Sequence, residues 1–111
     1  MYYILVDKEV VLVNDINEWS KQWSKSGGTI ALHNFGIKGD ILVSTVFLGI
    51  NHRCGEGVPV LFETMVFGGK HSDLQRRYCT YDEAIEGHNN ICELVDEVRI
   101  KRDTKINDLG L

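Results

Sequence analysis

Two neighbouring apolar runs constrain the fold of this 111-residue chain more than any other feature. Residues 41–50 read ILVSTVFLGI and residues 59–67 read PVLFETMVF, with a glycine-containing loop between them. Both runs are rich in the β-branched and aromatic residues that favour strands. Pro59 stands at the first position of the second run, where a strand tolerates proline. The two runs therefore predict neighbouring strands in one sheet.

Both faces of these two strands are apolar. Side chains alternate along a strand, so Leu42 and Val46 point to one face of the sheet and Val43 and Phe47 to the other. An antiparallel sheet with one face in water shows polar side chains on that face. We therefore expect helices to cover one face and a second subunit or a ligand to cover the other. This pattern predicts a homo-oligomer.

The other segments complete an α+β domain with the element order ββαβββα. The predicted elements are a hairpin over 2–13, a helix over 16–26, a hairpin with strands at 29–37 and 41–50, a strand over 59–67 and a helix over 81–99. This order predicts a five-stranded antiparallel sheet with both helices packed on one face. The length predicts a single domain over residues 1–111, with 101–111 as a flexible tail.

Two capping residues begin the helices. Asp15 precedes the first helix and Thr80 precedes the second, each with a glutamate three residues later as in a capping box. Gly27 is expected to end the first helix. In that helix Ile16, Trp19 and Trp23 form one apolar stripe, which we expect to be part of the core.

Composition excludes several classes of function. Sixteen acidic and twelve basic residues leave a net charge of −4, which opposes binding to the phosphates of a nucleic-acid duplex. The first residues resemble neither a signal peptide nor a membrane span, so we expect no membrane partner and a cytoplasmic location. The three cysteines contain no CxxC pair and predict reduced thiols.

The loops on either side of the fifth strand form a candidate binding site for a phosphorylated ligand. Arginine side chains pair with phosphate, and tyrosine rings stack on a base. The candidate ligand-binding residues are His52, Arg53, Glu63, Arg76, Arg77, Tyr78 and Tyr81. The first turns of the second helix carry Asp82, Glu83 and Glu86, which disfavour phosphate at that N-terminus, and these acids are alternative partners for the arginines.

Glu63 lies inside an apolar strand. A buried carboxylate without a partner is costly, so we expect Glu63 either to meet a basic or donor side chain or to reach solvent at a sheet edge. A histidine near Cys54 or Cys79 would suit nucleophilic catalysis, but no catalytic signature surrounds either cysteine. We therefore predict no catalytic residues and no cofactor.

The pairs His52/Cys54 and His88/Cys92 contain ligand types that bind zinc. The spacings typical of zinc sites are absent, so the sequence predicts no metal site. His88 lies on the apolar stripe of the second helix and is expected to be a hydrogen-bonded core residue. The strand alternation likewise predicts that His33 is packed with Ala31 and Phe35.

Residues 44–69, STVFLGINHRCGEGVPVLFETMVFGG, resemble small proteins encoded by tailed bacteriophages and prophages, which are chiefly of unknown function. The resemblance continues into YCTYDEAIEGHNNIC and is most specific in LFETMVFGG. Cys54 departs from the pattern of this group. The resemblance supplies no catalytic residues and implies a phage accessory protein in the bacterial host cytoplasm.

These observations together predict a homo-oligomer that binds a ligand, with a nucleotide immune signal that the protein sequesters as the leading example. An alternative is a protein-interaction module that docks a host or virion protein through the exposed sheet face. A small hydrolase that uses Glu63 and a histidine is a further alternative.

Overall fold

A computed structural model describes residues 2–26, 28–52 and 57–96 of the chain. The elements in these residues are β1 (Tyr2–Val6), β2 (Glu9–Val13), α1 (Ile16–Ser26), β3 (Thr29–Phe35), β4 (Ile41–Phe47), β5 (Phe62–Phe67), β6 (Gln75–Tyr78) and α2 (Tyr81–Val95). The fold is α+β, as the sequence predicts.

The N-terminal hairpin and α1 form one packed unit. Asp7 and Lys8 both have positive φ, 50° and 72°, which is the conformation that a two-residue hairpin turn requires. The Asp15 carboxylate accepts a hydrogen bond from the Asn17 N–H at 2.8 Å and begins α1. The Gln22 side chain then accepts from the Leu5 N–H at 2.9 Å and donates to the Leu5 carbonyl at 2.6 Å. These two bonds fix α1 against β1.

The larger sheet contains four antiparallel strands in the order β3-β4-β5-β6, and α2 packs on one of its faces. Two apolar clusters fill the space between this face and α2. One consists of Val43, Val66, Ile91 and Val95, and the other of Phe47, Leu61, Phe62 and Ala84. Thr45, Thr64 and His88 lie between the two clusters along β4, β5 and α2, so a polar band crosses the core.

The prediction of a single five-stranded sheet with both helices on one face is wrong. The strands form a two-stranded sheet and a four-stranded sheet, and each helix packs on a different one. The hairpin hydrogen-bonds to the chain just after β4, through the Tyr2–Ile50 bridge and a 2.8 Å bond from the Tyr3 N–H to the Gly49 carbonyl. Its side chains Tyr3, Leu5 and Val10 pack against the apolar cluster that contains Phe47. Gly49 has a φ of 72° and terminates the pairing, because β4 cannot continue as a regular strand through that conformation.

The predicted loop after the fifth strand, residues 68–79, is only partly a loop in the structure. Their second half forms β6, which pairs with β5 through Glu63–Arg77 and Thr64–Arg76. The sequence pattern does not indicate this strand, because QRRY lacks apolar alternation. Short edge strands commonly carry charged side chains, which discourage pairing with another chain.

Four predicted element boundaries also differ from the structure, including the end of β3, which lies at Phe35 and not at residue 37. β4 ends at Phe47 and not at residue 50, and β5 begins at Phe62 and not at residue 59. α2 ends at Val95, where Asp96 caps it through a bond from its N–H to the Cys92 carbonyl. Gly27, residues 97–99 of the predicted helix and the predicted tail lie outside the described residues.

The predicted tryptophan stripe is only partly buried. The Trp19 ring is half-buried and contacts Tyr2 and Trp23 at centroid distances of 5.6 and 5.7 Å. Ile16 and Trp23 are exposed, because a two-stranded hairpin is too narrow to cover the whole stripe. Within residues 2–26, 28–52 and 57–96, neither helix is long and apolar enough to span a membrane.

Candidate functional sites

The candidate ligand-binding residues are divided between the two faces of the four-stranded sheet. Phe62, Thr64 and Val66 of β5 face α2, so Glu63 and its cross-strand partner Arg77 lie on the opposite face. Arg76 pairs with Thr64 and Tyr78 pairs with Phe62, so both lie on the helix-facing side. The structure does not bring all of these residues to one place.

The two tyrosines are engaged in packing. Tyr78 lies against Gly87 of α2, and its hydroxyl is buried without a hydrogen-bond partner among the described residues. The Tyr81 ring makes an edge contact with Phe62 at 6.4 Å, and the Lys8 ammonium lies 5.7 Å from its centroid. Tyr81 therefore joins the hairpin turn to the start of α2.

His52 lies exposed in the loop after β4. Its N–H donates to the Val60 carbonyl at 2.9 Å, which continues the pairing of the two segments beyond β4 and β5. The candidate residue Arg53 and Cys54 lie outside the described residues.

We call the face of the four-stranded sheet opposite α2 the open face. Its side chains form three rows across the sheet, which are Thr29–Val46–Glu63–Arg77, Leu32–Ser44–Met65–Gln75 and Asn34–Leu42–Phe67. Leu32 is 54% exposed and Phe67 is 49% exposed. α2 packs on the other side of the sheet and α1 packs on the hairpin. The open face thus has apolar side chains in contact with water.

Glu63 on the open face is 8% exposed and has two partners. Its carboxylate accepts a hydrogen bond from Arg77 Nε at 2.9 Å and another from the Gln75 amide. The expectation that Glu63 meets a basic or donor side chain is confirmed. The pairing also engages Arg77, one of the arginines proposed to hold a phosphate.

The polar band in the core continues to the surface through histidine. His88 is 1% exposed, and its Nδ1 lies 2.7 Å from the Thr45 hydroxyl, which in turn hydrogen-bonds with the Thr64 hydroxyl. The other nitrogen, Nε2, lies 2.8 Å from Nδ1 of His33 on the edge strand β3. His88 is therefore a hydrogen-bonded core residue, as the sequence predicts, and it connects buried hydroxyls to an exposed ring.

Cys92 lies one helical turn after His88 and belongs to the same group. One potential ligand atom from each of His33, His88 and Cys92 lies within 4.8 Å of the others. A cleft of about 440 Å³ adjoins this group and is lined by His33, Phe35, Asn89, Cys92 and Glu93. This volume is within the range typical of small-ligand sites.

Burial controls the electrostatics of the cluster. Burial lowers the pKa of His88 below its ordinary value of 6.5, and the neighbouring His33 lowers it further. Burial, with a smaller contribution from Asp96, raises the pKa of the Cys92 thiol to about 11. The neutral forms of both side chains are therefore favoured in the folded chain.

The sequence indicates only two of the three residues of this cluster. The spacing of His88 and Cys92 on one helix face is visible locally, whereas the pairing of β3 with β4 brings His33 to them. Alternation does place His33 and Thr45 on one face of the sheet once the register of β3 and β4 is known. That register contains a bulge between Thr29 and Ala31, which the sequence pattern does not reveal.

No family model, curated protein or solved structure matches this chain. The resemblance to small phage proteins therefore stays a prediction.

Proposed function

We propose that this chain is a homo-oligomeric binding protein in which the open face packs against the open face of a second copy. The observation that carries the proposal is the exposure of Leu32 and Phe67 on a sheet face that also contains Leu42, Val46 and Met65. Burying such side chains contributes about 25 cal/mol per Å² of apolar surface removed from water.

The charge distribution favours a second copy over a charged partner. The whole chain has a net charge of −4, so two copies repel each other through most of their surfaces. On the open face the acid Glu63 is paired with the base Arg77, which leaves the face without net charge. An isologous contact through this face avoids placing like charges opposite each other.

The shape of the open face also suits a second copy. Two antiparallel sheets pack face to face about 10 Å apart, with the side chains of the two inner faces interdigitating. Small side chains in the rows, such as Ser44 beside Leu32 and Met65, leave room for apolar groups of a facing sheet. The Glu63–Arg77 pair stays hydrogen-bonded within its own chain in such an interface.

The ligand of this oligomer is the second part of the proposal. A phosphorylated small molecule, such as a nucleotide signal bound by a phage accessory protein in the host cytoplasm, agrees with the exposed Arg76 of β6 and with the sequence resemblance. Arg76 is exposed and its guanidinium is bonded only to its neighbour's carbonyl in the described structure, at 2.9 Å from Gln75. Docking of a host or virion protein on the open face is the competing outcome.

Sedimentation equilibrium and light scattering on the purified chain test the self-association. We expect a dimer or larger assembly for the wild type and a monomer for Phe67→Glu, because the substitution places an unpaired carboxylate within the proposed apolar contact. Ile37→Glu is the matched control, since Ile37 is 90% exposed in the β3–β4 turn and lies off the open face. This control should keep the assembly of the wild type.

Two results would overturn the proposal. A monomeric wild type at micromolar concentration would show that the open face does not bind a second copy. An assembly that survives Phe67→Glu and is lost in Ile37→Glu would place the interface elsewhere.

A further inference from the structure

We propose that His33, His88 and Cys92 form a binding site for a transition-metal ion of the zinc type. This inference does not rest on self-association through the open face, because the three residues lie on α2 and on the edge strand β3. Imidazole nitrogen and thiolate sulphur are the ligands that zinc prefers in proteins. Three such groups from two separate elements meet here, with their ligand atoms within 4.8 Å of one another.

The separation of the two histidine nitrogens is close to that which an ion requires. Tetrahedral zinc with its usual bond lengths separates two nitrogen ligands by about 3.3 Å and a nitrogen from a sulphur by about 3.6 Å. His33 Nδ1 and His88 Nε2 are 2.8 Å apart, so an ion needs them to separate by about 0.5 Å. His33 is exposed on the edge strand β3, where its ring can make this small movement.

The contacts of the buried histidine support coordination through Nε2. The Thr45 hydroxyl can give its proton to Thr64 and accept the His88 Nδ1–H, which leaves the lone pair of Nε2 directed at His33. Histidine ligands in metal sites characteristically donate their second ring N–H to such an oxygen acceptor. Thr45 and Thr64 therefore orient the His88 ring in the way that hydrogen-bond partners of histidine ligands do in metal sites.

The surroundings of the cluster provide access and a fourth ligand. The cleft lined by His33, Cys92, Asn89 and Glu93 gives an ion a route from solvent. A water in the cleft completes a four-coordinate ion, and an exchangeable ligand at this position is the arrangement of zinc sites that bind a further molecule.

Binding displaces protons. An ion takes the place of the hydrogen bond between the two rings, and the ring proton moves to a nitrogen that the ion does not use. The Cys92 thiol loses its proton to solvent as the sulphur–metal bond forms.

The experiment is a titration of the full chain, first treated with a chelator, with Co²⁺ followed by absorbance and with Zn²⁺ followed by calorimetry. We expect one ion per chain, with a thiolate-to-cobalt charge-transfer band and the visible bands of tetrahedral cobalt. Cys92→Ala should abolish the charge-transfer band, and His33→Ala should weaken affinity at least tenfold. Both positions are less buried than His88, so these variants test the site without removing the most buried ligand.

Matched controls are available for both variants. Cys79→Ala removes the other thiol in the described part of the chain, and His52→Ala removes an exposed histidine away from the cluster. Both should bind the ion like the wild type. Absence of binding by the wild type, a charge-transfer band that persists in Cys92→Ala, or loss of binding in His52→Ala with retention in His33→Ala would overturn the proposal.

Discussion

Replacement of Thr45 by valine tests the polar band of the core. Thr45 and Thr64 are fully buried and His88 is 1% exposed, so water cannot replace a lost hydrogen bond at this depth. The substitution keeps the shape of the side chain but removes the partner of His88 Nδ1 and of the Thr64 hydroxyl. An unsatisfied buried polar group costs about 1–3 kcal/mol, so two of them lower the free energy of unfolding by about 2–6 kcal/mol.

This loss is a large part of the total stability of a chain of this length, about 5–15 kcal/mol. Urea unfolding of the metal-free protein, followed by circular dichroism and tryptophan fluorescence, measures it. Thr64→Val should cost less, because His88 keeps its partner Thr45. The loss of stability in the double variant should be smaller than the sum of the losses in the two single variants. In the double variant no threonine hydroxyl is left without its partner threonine.

Thr29→Val is the matched control for Thr45→Val, since Thr29 is an exposed strand threonine and its replacement should change stability by less than about 0.5 kcal/mol. A cost below about 0.5 kcal/mol for Thr45→Val, or strict additivity in the double variant, would refute the assignment of the band as a coupled hydrogen-bond network.

Two further predictions concern α2. Gly87→Ala should lower the free energy of unfolding by about 1–2 kcal/mol, because the added Cβ would overlap the ring of Tyr78. We expect this loss although alanine normally favours a helix interior. Unchanged or increased stability in urea would contradict the prediction. The pKa of His88 is lowered by folding, so the unfolded state binds its proton more readily. The contribution of this shift to the stability of the metal-free protein should be fully present above about pH 6.5 and should decrease below that pH. The decrease due to His88 is at most about 1.4 kcal/mol per pH unit, and His88→Gln should remove it.

Several elements could be predicted because their signals are local. The hairpin over 2–13, the first helix over 16–26 and the cap at Thr80 are all found where the sequence indicates them. A turn or a cap depends on a few neighbouring residues, whose backbone preferences act whatever the rest of the chain does.

The strand β6 and the division into two sheets could not be predicted in this way. β6 is polar and short, and it is a strand because Arg76 and Arg77 find partners on β5. The hairpin forms a separate sheet because β4 ends near Gly49, which depends on the arrangement of the hairpin and Trp19 around that glycine.

The candidate sites likewise combine features that are local in the sequence with features that depend on the tertiary structure. The sequence shows that Glu63 needs a partner, because it lies in an apolar strand. The identity of that partner, Arg77, depends on the β5–β6 register. His88 and Cys92 share a helix face by spacing alone. Only the tertiary structure brings His33 within hydrogen-bond distance of His88.

The sequence by itself determined the α+β class, the helix starts and the presence of two apolar strand faces, because alternation and capping act within a few residues. The tertiary structure decided which face α2 covers, which face stays open and which histidine meets His88. These depend on strand register and sheet order, which are set by contacts between residues that are distant along the chain.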